Sequence, residues 1–179
     1  NGNVTNEFRE SDKVMTGKTY DAPWMGGFGT SFRWKGLQLS AQFSWIGTRY
    51  VINNDRYFEE GGVTFGTAYN QSRRVLYNRW KNPGDITDIP KWGEVNQLDD
   101  RYLENASFLR LKNLSLSYSL PQAWLSKTKF FTLVRIYAQA QNLFTITGFN
   151  GLDPEVSSNV YQAQYPASRQ FTLGMEVSF

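Results

Sequence analysis

The sequence predicts an all-β fold of antiparallel strands that form part of a transmembrane β-barrel and do not close into a barrel on their own. Apolar and polar residues alternate along five segments, the connections are alternately short and long, and aromatic residues make up 16% of the 179 residues. Alternation with a period of two is typical of strands with one apolar and one polar face. Short turns at one end, long loops at the other and girdles of rings are typical of outer-membrane barrels.

The first two strands, at about 24–35 and 37–48, are predicted to form a hairpin. In "LQLSAQFSW" (37–45) every second residue is apolar and the residues between are Gln or Ser. The stretch "FGTSFRW" (28–34) alternates in a similar way, and the intervening Lys35 and Gly36 suit a tight turn.

The third and fourth strands are predicted at about 107–120 and 131–144. Leu109 and Leu111 lie on one parity of the third segment, whereas Leu114 and the apolar residues that follow lie on the other. A single apolar face then requires a β-bulge near Lys112 and Asn113, and we predict one there. The fourth strand contains "VRIYAQAQ" (134–141), which again alternates without exception.

The fifth strand, at about 169–179, has an apolar residue at every second position from Phe171 to Phe179. The long connections 1–23, 49–106 and 145–168 are predicted to be extracellular loops. Because open edges in lipid leave backbone groups without partners, five strands cannot form a complete barrel. We therefore expect the outermost strands to pair with strands outside this sequence, and the chain to be a fragment that ends at the true C-terminus of its protein.

Strand parity assigns side chains to the barrel interior or to lipid. Charged and amide side chains on the polar faces are predicted to point into the lumen: Arg33, Gln42, Arg110, Lys112, Arg135, Gln139, Gln141 and Glu176. The apolar residues of the last strand are predicted to face lipid: Phe171, Leu173, Met175, Val177 and Phe179. Rings in the long loops are candidates for contact with substrate or a lid protein, with packing inside the loops as the alternative: Trp80, Trp92, Tyr161 and Tyr165.

Composition excludes several classes of function. The chain contains no Cys and no His, so disulfides, thiolate nucleophiles, serine triads with His and ordinary zinc sites are excluded, and we expect no enzyme activity, metal or cofactor. The net charge of +3 is spread along the chain, so no nucleic acid is expected as a partner. The adjacent carboxylates Glu59 with Glu60 and Asp99 with Asp100 are expected to be solvated loop charges or turn caps, because neighbours in an extended chain point apart.

Several motifs carry a family resemblance. They are "GGFGTSFRWKGLQLS" (26–40), "NRWKNPGDITDIP" (78–90), "DDRYLENASFLRLKNLSLSYSLP" (99–121), "RIYAQAQNLFTITGFNGLDPEV" (135–156) and "YPASRQFTLGMEVSF" (165–179). In this order they resemble the C-terminal barrel region of SusC/RagA-type TonB-linked outer-membrane transporters. Family members often carry an acidic stretch ahead of these strands that resembles a calcium-binding loop. The corresponding "NGNVT" (1–5) lacks the aspartates, so calcium is not expected there.

The resemblance implies a barrel of about 22 strands in the bacterial outer membrane, with a plug inside it. It also implies import of glycans or peptides beneath a SusD-like surface lipoprotein, with energy from the TonB complex reached through an N-terminal part outside this sequence. In such barrels the last strand, ending at Phe179, also serves as an assembly signal. Three alternatives remain open at this stage: a soluble β-sandwich, a soluble carbohydrate-binding module, and a transporter-like barrel that acts as a scaffold for surface proteins.

Overall fold

The computed structural model describes residues 9–61, 70–94, 97–162 and 164–179. In these ranges the strands are β1 (Trp24–Trp34), β2 (Leu37–Gly47), β3 (Tyr50–Asn53), β4 (Leu103–Asn105), β5 (Phe108–Ser119), β6 (Leu133–Thr147), β7 (Val160–Tyr161) and β8 (Gln170–Ser178). The helices are α1 (Asn54–Glu59), α2 (Arg73–Asn78) and α3 (Gln122–Thr128), with single 3₁₀ turns at Glu10–Asp12 and Asp100–Tyr102. No helix in the described ranges is both long and apolar enough to span a membrane.

Five long strands form the main sheet, in the order β1-β2-β5-β6-β8, and every neighbouring pair is antiparallel. Strands β1 and β8 form the two edges, and neither has a second partner in the described part of the chain. The sheet therefore stays open. The prediction of an antiparallel all-β fold that does not close on its own is confirmed.

The predicted bulge in β5 is confirmed and is followed by a second one. Phe43 pairs with Leu111 while the adjacent Gln42 pairs with Asn113, so Lys112 is the extra residue relative to β2. The irregularity continues into β6, where residues 142–143 stand opposite Lys112 alone, and Asn142 adopts a left-handed φ of 50°. The alternation of β6 is kept across this irregularity, since Gln141 and Thr145 both lie on the polar face, and β6 continues to Thr147 as one strand, beyond residue 144.

The end of the main sheet formed by the Lys35–Gly36 turn and by helix α3 is called the turn end, and the opposite end is called the loop end. Lys35 and Gly36 have φ values of 44° and 88°, the two positive values that a type I′ hairpin turn requires. A side chain at position 36 would also meet the Ser119 carbonyl oxygen at 2.5 Å, so glycine is needed there.

The two faces of the main sheet differ in chemistry, and the apolar one is exposed. Phe28 stacks on Phe43 with ring centroids 4.8 Å apart, and along the same face Phe32, Ile136 and Leu173 are 58%, 51% and 83% exposed. A soluble β-sandwich covers such a face with a second sheet, and the described residues supply no layer over it. This face thus needs an apolar environment from outside the chain.

A smaller unit sits at the loop end. Strands β4, β3 and β7 form a second sheet in that order, antiparallel between β3 and β4 and parallel between β3 and β7. Its core contains the buried side chains Val51, Ala106, Phe149, Val156 and Tyr161, with Tyr20 packed against them. The long loops are therefore folded against each other rather than separately extended.

Candidate functional site

The polar face of the main sheet is organised in rows that cross the strands, because paired residues of neighbouring strands project from the same face. One row consists of Gly29, Gln42, Asn113, Gln141 and Gln170, and the next of Ser31, Ser40, Ser115, Gln139 and Thr172. The Gln139 amide nitrogen donates to Asn113 Oδ1 at 3.0 Å. The middle of the polar face is thus an uncharged band of amides and hydroxyls.

Charged residues lie on this face at both sides of the amide band. Towards the turn end, Arg33 pairs in register with Gln38, and Arg135 pairs with Glu176, whose carboxylate accepts a hydrogen bond from the guanidinium. Towards the loop end, Arg110 pairs in register with Ser44 and Thr145. All eight predicted lumen-facing residues therefore share one face of the sheet, including Lys112 in the bulge.

A cluster of four charged side chains ties the loop 148–169 to this face. Arg110 donates to Asp153 Oδ1 at 2.5 Å and to Glu155 Oε2 at 2.8 Å, while Lys112 Nζ donates to Glu155 Oε2 at 2.6 Å. The Arg110 side chain is 3% exposed and that of Asp153 is 10% exposed. We call these four residues the loop latch. Two buried charges that neutralise each other fix the loop against the wall of the sheet.

Asp153 is the acceptor on which the loop latch depends. Besides Arg110, its carboxylate accepts hydrogen bonds from the backbone N–H groups of Glu155 and Ala167, both at 2.9 Å. Burial acts to raise the pKa of Asp153, but the Arg110 guanidinium and these two N–H groups outweigh burial and lower the pKa. Asp153 therefore stays ionised and holds both ends of the loop.

Two arginines organise the long loop 49–106. Helix caps place them: Asn53 Oδ1 accepts from the Arg56 backbone N–H, and Ser72 Oγ accepts from the Arg74 backbone N–H. Both guanidinium groups bind Glu60 and Asp88, with Arg56 Nε 2.9 Å from Glu60 Oε2 and Arg74 Nη2 2.8 Å from Asp88 Oδ1. Four charges from three separate parts of the loop thus neutralise each other.

Adjacent carboxylates in this loop behave differently from one another. Glu60 is 4% exposed and lies in the arginine cluster, so the expectation that it is a solvated charge is wrong. Burial raises the pKa of Glu60, and Arg56 and Arg74 oppose that change without cancelling it. Asp99 caps the 3₁₀ turn at Asp100–Tyr102 by accepting from the Arg101 backbone N–H, so for this residue the expected capping role is confirmed.

The two charged clusters meet at residues 150–153. Glu104 Oε1 accepts from Arg56 Nη1 at 3.3 Å, and Glu104 Oε2 accepts from the backbone N–H of Asn150 at 3.1 Å. Asp153, three residues after Asn150, belongs to the loop latch. Between them the Leu152 backbone N–H donates to the Tyr161 hydroxyl at 2.9 Å. The 150–153 segment therefore connects the loop 49–106 to the wall of the sheet.

The four loop rings have separate environments. Tyr161 is fully buried and packs edge to face on Phe149, with ring centroids 5.1 Å apart. Its ring offers no surface to a substrate or lid, so the prediction of such contact is wrong for Tyr161, which instead packs inside the loops. Trp80 is half-buried and lines a cleft with Ile89. Trp92 is 47% exposed with the Arg79 guanidinium 5.8 Å from its ring, and Tyr165 is fully exposed.

The predicted lipid-facing residues of β8 lie on the apolar face. Phe171, Leu173 and Met175 pair in register with Ala140, Ala138 and Ile136, which continue the apolar face of β6. Phe171, Leu173, Met175 and Phe179 are 72%, 83%, 65% and 74% exposed, and Val177 is half-buried. The last strand therefore presents an uninterrupted row of apolar side chains.

A cleft of about 640 Å³ lies where the loop latch meets the segment 165–169, between Arg110, Asp153 and the exposed Tyr165. Within the described ranges no group of three or more acidic residues is arranged to hold a metal ion. The cleft offers hydrogen-bonding groups and one ring. Its lining also includes the apolar residues Leu152, Pro154 and Pro166.

Comparison with known proteins gives relatives of one kind. No family model matches the chain. It is 30% identical over 166 residues to TonB-dependent receptor P3 of Formosa agariphila, covering 86% of this chain and 16% of that protein. It is 39% identical over 87 residues to TonB-dependent receptor SusC of Bacteroides thetaiotaomicron, covering 49% of this chain and 9% of that protein.

Solved structures agree with these relatives. The chain superposes on a chain of the RagAB peptide importer in its "open-open" state with a TM-score of 0.87 and 40% identity, over 98% of this chain and 19% of that one. A structure described as the RagAB peptide transporter gives a TM-score of 0.87 and 41% identity, over 99% and 20%. This chain thus spans about a fifth or less of the proteins it matches, which are receptors and transporters rather than enzymes. The chain belongs to the SusC/RagA family of TonB-dependent receptors, in which it corresponds to a segment of the β-barrel.

Proposed function

We propose that this chain forms part of the wall of an outer-membrane nutrient importer that depends on TonB. The observation that carries this proposal is the main sheet, whose apolar face is exposed, whose opposite face carries amides and charges, and whose two edges are open. Lipid suits the first face, an aqueous interior suits the second, and further strands of the same barrel suit the edges.

In this role the eight polar candidates line the interior of the barrel. The amide band contains Gln42, Gln139 and Gln141, which offer hydrogen bonds without imposing a charge on what passes. Within the loop latch, Asp153 and Glu155 neutralise Arg110 and Lys112. These two cations therefore hold a loop at the mouth instead of attracting anions. Trp80, Trp92 and Tyr165 are the remaining loop candidates for contact with substrate or a lid.

The substrate and partners follow from the family and are part of the proposal. The RagAB system is described as a peptide importer, and the similarity to it extends over 98% of this chain, which favours peptides over glycans. The SusC/RagA resemblance supplies a SusD-like surface lipoprotein as the lid, a plug inside the barrel, and the TonB complex as the source of energy. The plug is part of the complete receptor and the other two contact that receptor, of which this chain supplies one part.

Uptake by cells tests the proposal. The gene for the full-length receptor is deleted in its native bacterium, and growth and uptake are measured on defined peptide mixtures and on glycans. We expect loss of uptake of a peptide class, restored by the intact gene but not by a form without its TonB-contacting segment. A receptor that reaches the outer membrane but whose deletion leaves all uptake unchanged would support the scaffold alternative instead.

A further inference from the structure

The two ends of the main sheet differ sharply in charge. Glu176 is the one acidic residue in the five long strands, and it is paired with Arg135. At the turn end, the segments 34–37 and 119–132 contain no Asp or Glu and three lysines: Lys35, Lys127 and Lys129. The carboxylates of the described ranges lie otherwise in the loops. Apart from Glu176 these segments and the ends of the strands beside them carry no acidic side chain, so the three lysines make the turn end a basic edge.

Aromatic rings lie beside these lysines. Helix α3 buries Leu125, which is 3% exposed, and leaves Trp124 62% exposed. Phe130 follows the helix, is 62% exposed and lies 5.0 Å from the ring of Phe179. The segment that carries Lys127 and Lys129 therefore also carries exposed rings.

Trp34 belongs to the exposed apolar face of the sheet, and Phe130 reaches this face through its contact with Phe179. Trp34 pairs with Leu37, and this row continues through Tyr118 to Ile136 on the same face. Lys35 Nζ lies 5.1 Å from the centre of the Trp34 ring, so this ammonium is held at the border of that face. Lysines that reach out from an apolar surface towards water are typical of membrane interfaces.

We propose that the turn end binds the headgroups of anionic phospholipids in the membrane leaflet that faces the periplasm. This inference rests on the proposed function, which places the short turns on the periplasmic side. Lys35, Lys127 and Lys129 contact the phosphates, while Trp34, Trp124 and Phe130 lie in the interfacial layer. An acidic soluble protein matches the charge equally well, but continuity of the rings with the lipid-exposed face favours a lipid.

Native mass spectrometry of the full-length receptor tests this inference. The purified protein is titrated with phosphatidylglycerol, which is anionic, and with phosphatidylcholine, which has no net charge. Each basic residue near an anionic surface contributes about 1 kcal/mol, which is about fivefold in affinity. We expect the double variant K127Q/K129Q to bind phosphatidylglycerol about 25-fold more weakly and phosphatidylcholine unchanged. The matched control K81Q/K91Q replaces two lysines of the loop 49–106 and is expected to bind both lipids as the unmodified protein does.

Two results would overturn the inference. One is equal phosphatidylglycerol binding by K127Q/K129Q and the control. The other is an acidic periplasmic protein that crosslinks to α3 in cells, while K127Q/K129Q leaves the preference for phosphatidylglycerol over phosphatidylcholine unchanged. Membrane fractionation separates this failure from failure of the proposed function. A receptor found in the outer membrane without the lipid preference refutes the inference alone, whereas a receptor absent from that membrane refutes the proposed function.

Discussion

Replacing Asp153 by asparagine is expected to release the loop 148–169 from the wall of the sheet. The substitution keeps the shape of the side chain and removes its charge. The Arg110 guanidinium, 3% exposed, then loses its most buried partner and keeps Glu155, which is 39% exposed. The loop latch is weakened at its most desolvated point.

The size of the effect follows from burial. Removing one partner of a buried ion pair costs about 3 to 5 kcal/mol. Asparagine offers an oxygen to one of the two N–H groups, which donate to different oxygens of Asp153, but Arg110 keeps its bond to Glu155, so we expect the lower value, about 3 kcal/mol. Because 1.4 kcal/mol is a factor of ten, the equilibrium constant for opening of the loop rises about a hundredfold.

Hydrogen exchange measures this opening in the membrane-inserted receptor. Peptides that cover 148–169 are expected to exchange about a hundredfold faster in D153N, with exchange in β5 and β6 unchanged. The matched control is E155Q, whose more exposed carboxylate contributes about 0 to 1 kcal/mol. Equal exchange in D153N and E155Q would refute the account of the loop latch.

Three further predictions concern pH, the lipid face and side-chain packing. Because the pKa of Asp153 is lowered in the folded protein, its carboxylate stabilises the loop 148–169 fully above the unfolded pKa of about 3.9. This stabilisation is lost as pH falls through the folded pKa, so hydrogen exchange in 148–169 accelerates only in that acid range. An arginine at Leu173, on the apolar face, is expected to cost about 2 to 4 kcal/mol and to reduce the heat-resistant folded band on gels, while an arginine at the neighbouring Thr172 leaves that band unchanged. A Cβ at Gly174 would lie 2.3 Å from Tyr137, so Gly174→Ala is expected to lower the denaturation temperature unless Tyr137→Ala accompanies it, and additive effects would contradict this.

Strand parity in the sequence predicted much of the main sheet. The mismatch between Leu111 and Leu114 located the first bulge, because only an extra residue keeps both on one face. The second bulge at Asn142 was not predicted. The polar Asn142 stands at an otherwise apolar position of the alternation, and the end of β6 read as the start of a loop.

The loop structures could not be derived from alternation. Strands β3, β4 and β7 have four, three and two residues, too few to establish a period. Parity placed Arg110 on the polar face, but its partner Asp153 lies 43 positions away and only the folded loop brings the two together. Adjacent acidic letters likewise gave no sign that Glu60 is buried between two arginines.

In the assembled receptor, one face of the main sheet is expected to contact lipid and the other to contact water. Spin labels on single cysteines test this in the membrane-inserted full-length receptor, through collisions of the label with oxygen and with a water-soluble nickel complex. The cysteines replace, one at a time, four residues of β5: Leu114, Ser115, Leu116 and Ser117. Labels at Leu114 and Leu116 are expected to favour oxygen, and those at Ser115 and Ser117 the nickel complex, so accessibility alternates with a period of two. Accessibility to the nickel complex that is equal at all four positions would contradict the account.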